Sequence, residues 1–120
     1  MSFSLHIKAI ILFGSRTKGY AVESSDTDVA VLADRPLDSN DENDIIQFVA
    51  SQVKQPEEKI DLIDLTRASP LLQQNVATEG RLLWGDPATF VRFRVLAWKR
   101  YLDTAKLRRA REGFLTKKYA

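Results

Sequence analysis

Apolar positions along this chain fall into short blocks with two different periods. Residues 7–13, IKAIILF, are a β-branched apolar run that stops at Gly14, the length and composition of a buried strand. Residues 14–25, GSRTKGYAVESS, are small, polar and glycine-punctuated, and predict a loop. Residues 26–33, DTDVAVLA, open on carboxylates and turn apolar, predicting a second strand, and Asp34–Asn40 is a connection. From Asp41 to Val53 the period changes: Ile45, Phe48, Val49 and Val53 recur at helical spacing, with Asn40 or Asp41 available as cap and Pro56 beyond the end. Residues 59–65, KIDLIDL, alternate again as a third strand. Ser69-Pro70 is a cap followed by a first-turn proline, opening a helix that Gly80 closes, and residues 81–84, RLLW, make a short fourth strand.

Asp86-Pro87 opens the last helix in the same way, running to about residue 112. Phe90, Phe93, Ala97 and Tyr101 share one stripe, with Val91, Val95, Trp98, Leu102 and Ala105 beside it, together wide enough to be buried. At 1.5 Å per residue the helix is about 37 Å long, more than a small sheet covers, so its far end projects. The order β-loop-β-α-β-α-β-α predicts an α/β fold, a small mixed sheet flanked by helices with a long basic C-terminal helix. Residues 1–86 form the sheet core and 87–120 the helical segment of a single domain.

Composition narrows the chemistry. The chain has 120 residues, 44% apolar and 28% charged, as a folded globular domain does. It has no cysteine, which excludes disulfides and thiolate metal sites, and its single histidine, His6, reads as a surface residue, so a bound metal is held by oxygen. No apolar run spans a bilayer and the first residues lack the layout of a secretory signal, so the expected location is the cytoplasm. The net charge of +2 hides a division: residues 1–89 hold 14 acidic and 8 basic side chains, residues 90–120 hold 10 basic and 2 acidic. We read the basic helix as a docking surface rather than a solvated face. Trp84 and Trp98 read as core or partner-contact residues.

The stretch that carries chemistry is Phe13 to Ala33. Asp26 and Asp28 stand two apart at the head of a strand, so both point to one face, about 6.5–7 Å apart at Cα. Two carboxylates that close repel unless a cation sits between them, and aspartates at this spacing can hold the paired ions of a phosphoryl-transfer site. Gly14 lets an anion approach the backbone, Ser15 adds a hydroxyl, and Arg16 and Lys18 add positive charge. Alone, Asp-x-Asp is a strand end and Gly-Ser a turn; their combination across an apolar strand is the informative feature. Neither Gly-Lys-Ser/Thr nor GxGxxG is present, which excludes a Walker A loop and a dinucleotide fingerprint. A third carboxylate comes from KIDLID, where Asp61 and Asp64 lie on opposite faces, so only one can join the pair; parity leaves the choice open.

Gly14-Ser15, ten residues, then Asp26-Thr27-Asp28, resembles the signature of the minimal nucleotidyltransferases, the small members of the DNA polymerase beta-like superfamily. Lys59-Ile60-Asp61 is similar to the strand that supplies that family's third carboxylate, so the resemblance favours Asp61. Ser69-Pro70 through Leu83, and Tyr101-Leu102-Asp103 with its basic continuation, are similar to the later parts of these proteins. The small antitoxins of this family are paired with HEPN-domain RNase toxins. The resemblance implies a type VII-like antitoxin that transfers AMP from ATP to a tyrosine hydroxyl of its toxin. It implies Gly14 and Ser15, with Arg16 and Ser25 beside them, on the nucleotide, and Asp26, Asp28 and Asp61 as the catalytic and Mg²⁺-binding carboxylates. Two alternatives stand beside this: neutralisation by binding alone, and nucleotidyl transfer to a small molecule, for which the chain shows no acceptor domain. RNA contact by the basic helix is not favoured, and no membrane contact is expected.

Overall fold

The computed structural model describes residues 3–14 and 26–119; along the last helix, side chains are described as far as Ala105 and again at Leu107 and Arg109. The elements follow in the order β1 (Ile7–Phe13), β2 (Thr27–Ala33), α1 (Ser39–Val53), β3 (Ile60–Asp64), α2 (Pro70–Glu79), β4 (Arg81–Gly85) and α3 (Pro87–Tyr119). Single 3-10 turns, Glu57–Lys59 and Leu65–Arg67, flank β3. The four strands form one sheet in the order β3-β2-β1-β4. β1 pairs antiparallel with β2 and with β4, while β2 and β3 are parallel, joined by the α1 crossover that parallel strands require. This is the mixed α/β sheet the pattern predicts.

Alternation along the strands gives the sheet two apolar faces. Ile10, Val29 and Val31 point to one side, where Ile45, Val49 and Ala50 of α1 cover them. Ala9, Ile11, Phe13 and Ala30 point to the other, against Val76 and Ala77 of α2 and Phe90, Phe93 and Ala97 of α3. β1 and β2 are therefore buried on both sides, which is why their sequences are continuous apolar runs and not alternating ones. Among the described residues no helix is long and apolar enough to cross a membrane.

Several details depart from the sequence reading, among them the last helix, which runs to Tyr119 and not to about residue 112. The cap of α1 is Asp38, earlier than Asn40 or Asp41: its carboxylate accepts from the Asp41 amide at 2.8 Å, and Asp41 Oδ2 accepts from the Asp38 amide at 3.1 Å, a reciprocal capping box. His6 is not a loose surface residue. Its Nδ1 lies 3.3 Å from Arg35 Nη2, which can only donate, so the Nε2–H donates to Asp41 Oδ2 at 2.8 Å, and both His6 and Asp41 side chains are largely covered. Gly80 closes α2 at φ −74°, an ordinary value; a Cβ there would overlap the Val76 carbonyl and Ile11 Cγ2, so close helix–strand approach is what requires glycine.

The last helix divides its apolar residues. Phe90, Phe93 and Ala97 are buried and Tyr101 is half-buried, but Val91, Val95, Trp98 and Leu102 are exposed, so the wide stripe is only half covered. Two of its basic residues serve the interior. Arg94 Nε donates to the Ala77 carbonyl at 2.9 Å with its guanidinium 5.1 Å from the Phe90 ring centre. Arg100 donates to Gln73 Oε1 at 3.0 Å, and the buried Gln73 in turn donates to the carbonyls of Leu65 and Ala68, tying the turn after β3 to α3.

Burial works to raise the Asp41 carboxyl, but the Asp38 amide and His6 outweigh it and hold it below its ordinary value of 3.8. A lowered folded value means stability that is present above the ordinary value and lost as pH falls through the folded one. Chemical denaturation should therefore show the wild type more stable than Asp41→Asn at neutral pH, with the difference shrinking as pH drops below the ordinary carboxylate value.

Candidate active site

β1 runs towards the same edge of the sheet from which its antiparallel neighbour β2 departs. β2 starts at Thr27, one residue later than the sequence pattern suggests, so Gly14 just after β1, Asp26 just before β2, Asp28 near the start of β2 and Asp61 in the first half of the parallel β3 meet at one edge. Phe13 is the register partner of Asp28, and Asp28 is the register partner of Asp61. Partners in register project to the same side, here the side of Ala30, Phe13 and helices α2 and α3. Register thus separates the two candidates in β3. Asp61 stands beside Asp28, whereas Asp64 points to the opposite face. There Asp64 accepts from the Leu37 amide at 2.9 Å and from the amide and hydroxyl of Thr66 at 2.9 and 2.7 Å, and this structural role holds its carboxyl low although burial opposes it.

The carboxylates at this edge act unfavourably on one another. Asp28 is half-buried, Asp26 and Asp61 are exposed. Burial raises the Asp28 carboxyl above its ordinary value of 3.8, and the Asp61 charge, a hydrogen bond the two carboxyls share only when one carries a proton, and the Asp26 charge all push the same way. Among the described residues none of the three is in an ion pair. Gly14 adopts φ +85°, where side chains are strained, and a Cβ on it would overlap Asp28 Oδ2. The backbone therefore passes against the carboxylate, and only glycine allows it.

Three carboxylates with neither thiolate nor imidazole are a hard-oxygen donor set, which suits Mg²⁺. Among the described residues no group of three or more histidine, aspartate or glutamate side chains is placed to hold a metal ion, so any ion here takes fewer protein ligands. Mg²⁺ characteristically takes one or two carboxylates and fills its shell with water and phosphate oxygens, so an open edge of this kind fits it. Ser15, Arg16 and Ser25, which the sequence reading places on the nucleotide, lie outside the described residues. The sequence reading did not single out Thr27, fully buried between the two aspartates, whose Oγ1 has no hydrogen-bond partner among the described residues. The D-T-D motif itself was its only signal.

Comparisons with known proteins bear on this edge. The sequence pattern of the family described as "Polymerase beta, Nucleotidyltransferase" matches residues 3–88, which include all of these carboxylates. Over 79 residues, 66% of this chain, the sequence is 40% identical to the protein adenylyltransferase MntA of Shewanella oneidensis, and it is 33% identical over 89 residues to the MntA of Aphanizomenon flos-aquae. The matched segments span 55% and 59% of those relatives. Among solved structures, a toxin–antitoxin with AMP-PNP is similar with a TM-score of 0.70 at 33% identity, covering 96% of this chain and 88% of that one. A tri-AMPylated Shewanella oneidensis HEPN toxin in complex with its MNT antitoxin is similar at 0.64 and 31%, covering 98% of this chain and 87% of that one.

A carboxyl whose folded value is raised contributes stability only below its ordinary value and loses it as pH rises through the folded one. Neutralising Asp28 removes that penalty, so Asp28→Asn should melt higher than the wild type at neutral pH without ligand, with the gap closing in acid, as read by scanning calorimetry.

Proposed function

Because this chain belongs to the polymerase beta nucleotidyltransferase family, we propose that it is a protein adenylyltransferase antitoxin that transfers AMP from ATP to a tyrosine hydroxyl of a cognate HEPN-domain RNase toxin. The observation that carries the reading is the in-register pairing of Asp28 with Asp61 beside the Gly14 turn, with Asp26, just before β2, near enough for its charge to act on Asp28. Its support comes from relatives that bear the adenylyltransferase name and from a similar antitoxin whose toxin partner is AMPylated.

In this reading each group has one task. The bend at Gly14 brings backbone against the Asp28 carboxylate, and Ser15, Arg16 and Ser25 supply donors to the triphosphate. Asp26 and Asp28 would hold Mg²⁺, which would supply charge withdrawal from the phosphate oxygens. Asp61, exposed at the edge, accepts the proton of the attacking tyrosine hydroxyl. The tyrosine oxygen forms a bond to the α-phosphorus, the bond from that phosphorus to the β-bridging oxygen breaks, and pyrophosphate leaves. Positioning and charge stabilisation are the main contributions the protein makes to such a transfer.

The test uses labelled ATP, Mg²⁺ and the product of the gene adjacent to this one, which this reading expects to be a HEPN-domain protein. The wild type should label the partner, Asp28→Asn should reduce the rate by on the order of 10²-fold or more, and tryptic mapping should place the adduct on tyrosine. A partner left unlabelled by the wild type, yet neutralised equally by wild type and Asp26→Asn/Asp28→Asn, would replace catalysis with direct occlusion. A separate check is the cation alone: MgCl₂ should raise the melting temperature of the wild type and leave that of Asp28→Asn unchanged.

A further inference from the structure

The outer face of α3 is used neither by the fold nor by the carboxylate edge. Val91, Val95, Trp98 and Leu102 follow one another at intervals of four, three and four residues, which places them in one line along the helix. Their exposures are 55%, 59%, 56% and 44%, while Phe90, Phe93 and Ala97 on the opposite side are buried against the sheet. The helix therefore has two apolar faces and this chain covers one. Isolated exposed apolar residues are ordinary, but a straight seam containing a half-exposed indole marks a contact surface.

What lies beside the seam restricts what can cover it. Arg92 and Lys99 are exposed along one side of it on the helical wheel, Arg92 bonded among the described residues only to Thr89 of its own helix, in contrast to Arg94 and Arg100, which tie α3 to α2. Past Arg92 the surface runs into a cleft of about 260 Å³ between α3 and the ends of β1 and β2, lined by Leu96, Arg100 and Lys8 among others. An apolar line at four-three-four spacing is the complement of another helix laid along it. The cationic flank requires that helix to carry acidic side chains at its margins. A second copy of this chain is disfavoured, because residues 90–120 hold ten basic and two acidic side chains, and a twofold pairing of α3 would set like charges against each other.

We infer that the seam Val91–Val95–Trp98–Leu102 is the docking surface for an acid-flanked amphipathic helix of a partner protein, with Trp98 as its anchor. This rests on the reading above, under which the partner is the HEPN toxin, and it assigns recognition to a face separate from the carboxylate edge. Aromatic anchors ringed by charge are where binding energy concentrates. Recognition then persists when the chemistry is removed, and fails when the seam is altered while the chemistry is intact.

The experiment measures binding of this chain to the HEPN-domain protein that the proposed function takes as its partner, by isothermal titration, with melting temperature and AMP-PNP affinity recorded for every variant. Trp98→Glu and Val95→Glu should each weaken the complex at least tenfold with melting temperature and AMP-PNP affinity unchanged, since both residues are exposed. Arg92→Glu/Lys99→Glu should weaken it and flatten its salt dependence. Wild-type affinity in both Trp98→Glu and Val95→Glu would overturn the inference and leave the proposed function standing. Failure of the wild type to bind the HEPN protein at all would overturn both. Sedimentation showing a wild-type dimer that Trp98→Glu converts to monomer would assign the seam to self-association and overturn the partner helix.

Discussion

The parallel pairing of β2 with β3 holds Asp28 and Asp61 side by side, and most of what is distinctive in this molecule follows from that constraint. Two carboxylates in register on adjacent strands repel, and here one of them is also partly desolvated, so the ligand-free fold carries an unfavourable interaction at its open edge. Hydrophobic cover on both faces of β1 and β2 keeps the strands together against it, through α1 on one side and α2 with α3 on the other. The glycine at the end of β1 completes the arrangement: its positive φ brings the chain against the Asp28 carboxylate, so that the place where negative charge accumulates is also where the backbone turns. Under the proposed function a cation bound with a triphosphate would relieve the repulsion, and ligand binding would then be linked to stability.

Much of this was legible in the sequence, and the parts that were not share a physical cause. IKAIILF and DTDVAVLA read as strands because burial on both faces makes them continuous apolar runs, and the two helices opened by Ser69-Pro70 and Asp86-Pro87 begin where those dipeptides say. Parity does not choose between Asp61 and Asp64, because it separates faces without saying which face matters; the resemblance favours Asp61, and the register with β2 stands it beside Asp28. The cap of α1 was misplaced by two or three residues because Asp38, Ser39, Asn40 and Asp41 are all competent caps. In the structure Asp38 and Asp41 cap one another, and Asp41 is also bonded to His6, 35 positions away in sequence. The same bond turned a histidine expected at the surface into part of the interior.

The last helix shows the limit of periodicity from the other direction. Its pattern announces apolar residues at Phe90, Phe93 and Ala97 and again at Val91, Val95 and Trp98, but nothing in a 3.6-residue period says that the sheet covers the first set and leaves the second. Its charge is equally divided in purpose. Arg94 and Arg100 are internal tethers, one to α2 and one, through Gln73, to the turn that follows β3. A net count of basic residues merges such tethers with the cations left at the surface, and only the structure separates them.

The central claim is that Asp26 and Asp28, with Asp61 beside them, form a cation and nucleotide site at the open edge of the sheet. Crystallography of the protein with Mn²⁺ and AMP-PNP tests it most directly, because the anomalous signal locates the metal independently of any assumed ligand. The account predicts an anomalous peak in coordination distance of the Asp26 and Asp28 carboxylates and of phosphate oxygens, with the α-phosphate facing Asp61. Nucleotide bound with its metal touching none of the three carboxylates, or bound away from the Gly14 turn, would contradict it.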